Sequence, residues 1–183
     1  MNRRTLAWSV VGLTLLALAL RLPRLAWQPL WWDEGYSVYF ATEPPGRMVW
    51  LTARDIHPPL YYALLHLWTE LLGRTDPVTL RAFSAVWGVA ALPLIVWVAR
   101  RLFPTRPRVW LAAGLLLAIS PMHIFYSQEV RMYAMAMTLT LAATGLFLSF
   151  LERPSWGRSA LYAGAALLAL YTLYYSALLL GAH

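Results

Sequence analysis

Three clusters of polar and charged side chains stand out in this sequence because long apolar runs separate them. Each cluster combines a carboxylate or a histidine with arginine, serine or tyrosine, and such groups can move protons and hold anions. The clusters are Trp31-Trp32-Asp33-Glu34-Gly35-Tyr36, Arg54-Asp55-Ile56-His57-Pro58-Pro59-Leu60-Tyr61-Tyr62, and Ser120-Pro121-Met122-His123 with Tyr126-Ser127-Gln128-Glu129-Val130-Arg131-Met132-Tyr133.

The first cluster offers two adjacent acids, Asp33 and Glu34. A carboxylate at a lipid–water boundary can act as a general base, because a partly apolar site tunes its pKa. The alternative is structural: Asp33 can cap the start of a helix, with Glu34 favourable in the first turn. The spacing alone leaves both interpretations open.

The second cluster places Arg54 and His57 just before Pro58-Pro59, a pair typical of a turn and a first helical turn. One hypothesis makes Arg54 or His57 a phosphate contact at that helix terminus. The alternative is a helix start with an exposed histidine.

The third cluster places Glu129 and Tyr133 one helical turn apart, with Arg131 between them. Ionisable groups close to membrane depth usually mark a functional site or a buried pair. The alternative for Arg131 is a side chain that reaches from a membrane edge toward water.

The composition excludes several classes of protein. Of the 183 residues, 60% are hydrophobic and 13% are charged, which favours a membrane protein over a soluble one. The net charge is +7, but its arginines stand singly or in pairs, so no nucleic-acid-binding face is predicted. Without cysteine there is neither a disulfide framework nor a thiolate metal site. No metal motif and no cofactor are predicted, although the acids and His57 leave a divalent metal as an open question.

Five charge-free runs approach the roughly 20 residues that a membrane-spanning helix needs. The sequence therefore predicts an all-α integral membrane protein with about five transmembrane helices. The first run lacks the small-residue site of a cleaved signal peptide, so we expect it to be an anchor. The runs are Thr5–Leu20, Ala82–Ala99, Val109–Gln128, Met132–Leu151 and Ser159–His183.

A sixth apolar run, Ile56–Thr69, has only 14 residues and fits an interfacial helix better than a span. If it does not cross, eight arginines and one acid face one side, while seven arginines and seven acids face the other. The excess of arginine marks the cytoplasmic side. This predicts a multi-pass protein of the plasma (inner) membrane with a cytoplasmic N-terminus. The loop from about 21 to 79 is then external, carries one or two interfacial helices, and shares its side with all three clusters.

The order of these motifs resembles the C-type membrane glycosyltransferases. Trp-x-Asp-Glu follows the first span, His-Pro-Pro-Leu-Tyr-Tyr comes next, and Ser-Pro precedes Tyr-Ser-x-Glu-x-Arg-x-Tyr. The most similar branch is the superfamily of protein mannosyltransferases, aminoarabinose transferases and Rhizobium-type lipopolysaccharide glycosyltransferases. The resemblance runs from Trp8 to about Leu180.

The resemblance implies an inverting transfer of a sugar from a polyprenyl phosphate to a hydroxyl of a lipid, glycan or protein outside the cytoplasm. By motif position it makes Asp33 the catalytic carboxylate, with Glu34 beside it. His57, Arg54 and Arg131 are then expected to bind the donor phosphate, and Tyr61, Glu129 and Tyr133 are expected to support the site.

The resemblance also implies further spans and a C-terminal portion, so residues 1–183 are expected to be the N-terminal part of such an enzyme. A separate C-terminal half is an expected partner, beside membrane lipid, and this chain alone is expected to transfer little sugar. The main alternative is a non-catalytic membrane protein that assists assembly. A transporter is disfavoured because the charges lie at span ends and not at mid-membrane.

Overall fold

The computed structural model of the protein describes residues 2–183, and within that range it contains helices and no strands. This confirms the all-α prediction. The helices are α1 (Arg3–Arg21), α2 (Trp32–Thr42), α3 (Pro45–Thr52), α4 (Leu60–Leu72), α5 (Pro77–Leu102), α6 (Pro107–Ile119), α7 (Pro121–Ser127), α8 (Tyr133–Glu152), α9 (Trp156–Thr172) and α10 (Ser176–Leu180).

Three helices are long and apolar enough to cross a membrane, namely α1, α5 and α8. A fourth candidate is the pair α6 and α7, which bends by 57° where a single straight span was expected. The bend follows from the sequence Ser120-Pro121. Pro121 has no N–H with which to continue α6, while the Ser120 hydroxyl accepts a hydrogen bond from the backbone N–H of His123 and caps α7.

The fifth expected span is shorter than the apolar run that predicted it. Helix α9 has 17 residues and ends at Thr172, because Leu173 adopts an extended conformation before the short α10 begins. At about 1.5 Å per residue, α9 is roughly 25 Å long and falls short of a bilayer core of about 30 Å. The structure thus has three or four candidate spans where about five were expected, and α9 packs along α8.

The segment between α1 and α5 contains three short helices, α2, α3 and α4, where one or two were expected. Helix α4 coincides with the predicted amphipathic helix and ends at Gly73, whose φ of +60° suits glycine. Two polar residues of α4 turn toward the protein: Tyr62 is buried, and His66 Nδ1 contacts the carbonyl of Ala41 at 2.7 Å, whereas Glu70 is exposed. Leucines such as Leu71 point outward, so an interfacial position remains a prediction.

Because successive long helices run in opposite directions, the bundle has two distinct ends. At one end Arg101, near the end of α5, pairs with Glu152 at the end of α8 at 2.6 Å. At the other end the last residue of α1, Arg21, contacts Ser127 of α7, and Arg81 of α5 contacts Glu34 of α2. His57 of the second cluster contacts Arg131 of the third, so all three clusters lie at this end, which we call the site end.

Small residues allow the central helices to approach closely. A Cβ atom on Gly145 of α8 would overlap the ring of Trp97 on α5, and one on Gly88 of α5 would overlap the side chain of Ser127. Helix α5 is the central element, since it contacts α1, α4, α6, α7 and α8. It thereby holds the site-end segments in fixed positions around its first two turns.

Candidate functional site

The two adjacent acids of the first cluster have different environments, and Glu34 is the buried one. Its carboxylate is fully buried and forms a bidentate pair with Arg81, with Nε to Oε1 at 2.8 Å and Nη2 to Oε2 at 2.7 Å. The backbone N–H groups of Trp31 and Val130 donate to the same carboxylate at 3.2 and 3.0 Å. With four donors around it, Glu34 has little capacity left for a substrate.

Arg81 completes this arrangement by fixing the chain that leads into α2. It is 1% exposed, and its remaining N–H groups donate to the backbone carbonyls of Leu25, Gln28 and Pro29 at 2.8–3.2 Å. The Glu34–Arg81 pair therefore joins α5, the segment before α2 and the linker before α8. This is a positioning role, and it holds Asp33 next to that linker.

Asp33 lies in the first turn of α2 and is half-buried. Trp31 occupies the capping position, so Asp33 does not cap the helix. Within residues 2–183 its carboxylate has no hydrogen-bond partner, and only its backbone carbonyl is engaged, by Arg131 Nη1 at 3.3 Å. A carboxylate that is held in place and free of partners is available to accept a proton.

Arg131 connects the first two clusters. While Nη1 contacts Asp33, Nη2 lies 3.3 Å from Nε2 of His57. Since a guanidinium can only donate, Nε2 is the acceptor and the ring proton resides on Nδ1, which donates to Asp55 Oδ2 at 3.1 Å. The structure thus brings Asp33, His57 and Arg131 together, with Asp55 orienting the histidine.

Two buried polar atoms beside these hydrogen bonds lack partners among the described residues: Arg131 Nε and the Tyr62 hydroxyl. Arg131 is 5% exposed and Tyr62 is fully buried. Burial raises the pKa of Tyr62, and the Arg131 guanidinium opposes that rise, which places the two groups within electrostatic reach of each other. Buried donors without partners are uncommon in proteins, so these two atoms are unsatisfied by the residues that the structure describes.

Tyr61, a predicted supporting residue, is buried and supports Arg131 through Ser84. Its hydroxyl pairs with Ser84 Oγ at 2.8 Å, and Ser84 also donates to the backbone carbonyl of Arg131 at 3.3 Å. Tyr133, the next supporting residue, lies with its ring 5.7 Å from the Arg131 guanidinium and 4.7 Å from the ring of Tyr126. Both tyrosines therefore help to fix Arg131.

Glu129 is 4% exposed and lies in the same linker as Arg131. Burial raises the pKa of its carboxyl to about 7, and the neighbouring Glu34 carboxylate adds to the rise, while Arg131 opposes it. Near neutral pH this carboxyl can therefore hold or release a proton.

Arg54 is the one predicted phosphate contact that stands apart. It is exposed, packs over the indole of Trp50 at 3.7 Å, and donates to the backbone carbonyl of the same residue at 3.2 Å. Its hydrogen bonds in the described chain do not reach His57 or Arg131.

Sequence reasoning missed Arg81 as part of the site, and it placed Asp55 and Tyr62 in the second cluster without giving them a role. Arg81 carried a usable signal, because an arginine in the second turn of a long apolar helix usually has a buried partner. Asp55 stands two residues before His57, a spacing that permits a local contact. Tyr62 carried no signal, since its burial depends on α2 packing against α4.

No group of three or more His, Cys, Asp or Glu side chains within residues 2–183 is arranged to hold a metal ion. The arrangement offers one free carboxylate, one buried guanidinium with an unused donor, and a second carboxyl that titrates near neutrality. Together these can remove a proton from one reactant and stabilise negative charge on another.

A family model described as dolichyl-phosphate-mannose-protein mannosyltransferase matches residues 56–182, more than two thirds of the chain. The matched part includes His57, Tyr61, Glu129, Arg131 and Tyr133, whereas Asp33 and Arg54 precede it. No curated protein and no solved structure gives a significant match.

Proposed function

Since this chain belongs to the dolichyl-phosphate-mannose-protein mannosyltransferase family, we propose that it uses a sugar linked to a polyprenyl phosphate as its donor. Family membership makes it a multi-pass membrane glycosyltransferase. The acceptor in this proposal is a hydroxyl group of a lipid, glycan or protein on the extracytoplasmic side. The transfer inverts the configuration at the anomeric carbon, because the acceptor attacks directly from the face opposite the phosphate.

Asp33 is the general base in this proposal. Its carboxylate takes the proton of the acceptor hydroxyl as the acceptor oxygen bonds to the anomeric carbon, and the bond from that carbon to the phosphate oxygen breaks. The observation that carries the assignment is the difference between the two adjacent acids. Glu34 is enclosed by four donors, whereas the Asp33 carboxylate has no hydrogen-bond partner within residues 2–183.

Arg131 stabilises the negative charge that develops on the departing lipid phosphate. The departing lipid phosphate gains negative charge as the glycosidic bond breaks, and a guanidinium with an unused buried Nε–H can donate to it. Tyr62, whose buried hydroxyl also lacks a partner among the described residues, is a second donor of the same kind. His57 acts through Arg131, because both of its ring nitrogens already contact protein groups. Arg54 is left as an outer contact for an incoming anion.

The test separates chemistry from binding. We expect Asp33→Asn to lower the release of polyprenyl phosphate from dolichyl-phosphate mannose by roughly 10²–10⁴-fold, with donor binding retained. The assay uses the full enzyme in liposomes with native membrane extract as the source of acceptor, and a panel of other polyprenyl-phosphate sugars replaces the donor if mannose is not transferred.

Two arginine variants form a matched pair for the binding measurement. Arg131→Ala should weaken binding of dolichyl-phosphate mannose by at least tenfold, while Arg54→Ala should change it by less than threefold, because Arg54 is exposed and packs on Trp50. Full turnover by the Asp33→Asn enzyme would rule out Asp33 as the base. Equal binding by the two arginine variants would rule out the phosphate assignment.

Glu129 is the second carboxyl that can serve as the base, because burial brings its pKa to about 7. The pH dependence of turnover distinguishes the two acids. If Asp33 is the base, the Glu129→Gln enzyme keeps measurable turnover with the wild-type acidic limb. If that limb disappears in Glu129→Gln and persists in Asp33→Asn, Glu129 is the base.

A further inference from the structure

A cavity of about 420 Å³ lies at the end of the molecule opposite the site end. The last turns of α5 and α8 and the loop that follows α5 enclose it. Its lining residues are Trp97, Arg100, Arg101, Pro104 and Glu152. None of them belongs to the three clusters at the site end, so the cavity is separate from the proposed sugar-transfer site.

Arg101 is held in the wall of this cavity by two neighbours. Its Nη1 atom donates to Oε2 of Glu152 at 2.6 Å, and its guanidinium lies 5.1 Å from the centre of a Trp97 ring. Trp97 is in turn fixed against the backbone of α8 at Gly145. The Nε and Nη2 atoms of Arg101 have no partner within residues 2–183, and Nη2, unlike Nε, retains accessible surface. Arg101 therefore still has donors for a ligand.

Arg100 lines the same cavity and is exposed. Its guanidinium lies 5.7 Å from the centre of a Trp110 ring, and the Nε1–H of that indole donates to the carbonyl of Phe103 at 2.7 Å. Within residues 2–183 the Arg100 side chain makes no hydrogen bond. It therefore offers a positive charge and its full set of N–H groups beside an indole that is itself anchored.

The alternative is that these arginines only orient the protein in the membrane, because arginine collects on the cytoplasmic side. That role requires positive charge near the ends of spans. It does not require two arginines to line one cavity, each beside an indole and each with unused donors. The sequence places Glu152 as the only acid at this end, against eight arginines, so the surrounding charge attracts an anion.

The directions of the two side chains favour a phosphate group over a carboxylate. Consecutive residues of a helix point about 100° apart, so Arg100 and Arg101 approach the cavity from different directions. A phosphate has oxygens in tetrahedral directions and can accept from both guanidinium groups, whereas the two oxygens of a carboxylate match one. The volume also lies in the range of roughly 300–1,000 Å³ that is typical of small-molecule pockets.

We propose that this cavity binds a phosphate group, which Arg100 and Nη2 of Arg101 hold. The phosphate belongs to the headgroup of an anionic lipid or to a soluble phosphate ester, since α5 is a candidate span and the cavity lies at its end. Glu152 keeps the affinity low, because it occupies one N–H of Arg101 and places a negative charge beside the ligand. This site does not depend on the proposed sugar transfer.

The experiment compares three probes that share a glycerol group. The purified protein in detergent is incubated with glycerol 3-phosphate, with phosphatidic acid, or with diacylglycerol, which lacks the phosphate, and bound probe is counted by native mass spectrometry. We expect phosphatidic acid to be retained at least about tenfold better than diacylglycerol. Binding of phosphatidic acid more tightly than glycerol 3-phosphate identifies a lipid as the source, and equal binding identifies a soluble ester.

Four variants assign the binding to this cavity. Arg100→Gln and Arg101→Gln should each lower retention of phosphatidic acid by about tenfold, because charge-assisted hydrogen bonds are lost. Arg108→Gln is the matched control: it removes the same charge from an exposed residue outside the cavity and should change retention by less than about twofold. Glu152→Gln should raise retention by about 3- to 10-fold, because a like charge is removed.

The Arg131→Ala protein separates this cavity from the sugar-transfer site, since it should retain phosphatidic acid like the wild type. Loss of all binding in Arg131→Ala would place the phosphate at the site end and overturn the proposal. So would equal retention of phosphatidic acid and diacylglycerol, or equal effects of Arg100→Gln and Arg108→Gln. If Arg101→Gln does not fold, Glu152→Gln decides, because misfolding does not raise affinity and unchanged retention would exclude this cavity.

Discussion

At the residue scale, Asp33 and Glu34 are chemically almost identical, and their environments give them different tasks. Consecutive helical residues point about 100° apart, so only one of the two can face the protein interior. Glu34 faces Arg81 and is part of the structural framework. Asp33 is half-buried: Arg131 donates to its backbone carbonyl, and its carboxylate has no hydrogen-bond partner within residues 2–183.

The first prediction follows from this difference. Glu34→Gln should destabilise the protein by about 3–5 kcal/mol, because it leaves Arg81 buried without its carboxylate. Asp33→Asn, at the next position, should change stability by less than about 1 kcal/mol. Denaturation midpoints in detergent provide the measurement. If both variants unfold alike, the buried pair does not hold this end of the molecule together.

The second prediction concerns Glu129, whose pKa burial raises from its ordinary value of 4.5 to about 7. Between these values the folded state binds more protons than the unfolded state, so this residue makes stability fall as pH rises toward 7. Glu129→Gln stays neutral and should be more stable than the wild type at pH 8, by on the order of 2–3 kcal/mol.

That advantage of Glu129→Gln should vanish below about pH 4.5, where the wild-type carboxyl is protonated in both states. Unfolding of both proteins across pH 4 to 8 measures it, and other titrating groups cancel in the difference. A difference that does not depend on pH would show that the carboxyl titrates normally.

At the scale of elements, the site depends on how closely α8 and α7 approach α5. Gly145 lets the ring of Trp97 lie directly on the backbone of α8. Gly88 lets the side chain of Ser127 lie directly on the backbone of α5. The linker with Glu129 and Arg131 lies between α7 and α8. Its position is therefore set by backbone contacts that bulkier residues would prevent.

The third prediction tests this packing. Gly145→Ala should lower stability by about 1–3 kcal/mol, because its Cβ overlaps Trp97 and the gain in helix propensity is smaller than the overlap. Gly164→Ala in α9 is the matched control, since a Cβ there meets nothing within 4 Å and should stabilise the helix. Trp97→Leu should relieve the Gly145→Ala effect. An additive double variant would mean that the two side chains do not meet.

At the scale of the whole molecule, the sequence predicted the coarse layout well. The long apolar runs became α1, α5 and α8, and the alternation of helix directions brought the three polar clusters to one end. Apolar periodicity and length are enough to predict such features, because every long apolar run must either be buried inside the protein or cross the membrane.

Finer features could not be predicted, because they depend on contacts distant in sequence. The choice between Asp33 and Glu34 depends on Arg81, 47 residues beyond Glu34. The inward orientation of His66 on α4 depends on Ala41, which lies 25 residues away in sequence. The break at Leu173 interrupts an apolar run that shows no proline or glycine there.

The fourth prediction concerns orientation in the membrane. Arginine outnumbers acid at the end with Arg101 and Glu152, so we expect that end to face the cytoplasm. The chain has no cysteine, so single cysteines can be placed freely. A cysteine at Thr105 or Gly157 should resist an impermeant thiol reagent in intact cells, and one at Gly46 should react. Labelling of the cysteine at position 105 would show that the protein has the opposite orientation.

The complete enclosure of Arg21 sets an order of events during biosynthesis. Arg21 closes α1, yet its partners in α6 and α7 lie 96 to 106 residues further along the chain. At roughly 5–20 residues per second, a ribosome produces them about 5–20 s later. Until then the first helix carries a cation whose main acceptors do not yet exist. Arg81 differs, because Glu34 is already made when it emerges. We therefore expect α1 to reach its final packing only after α6 and α7 have been made.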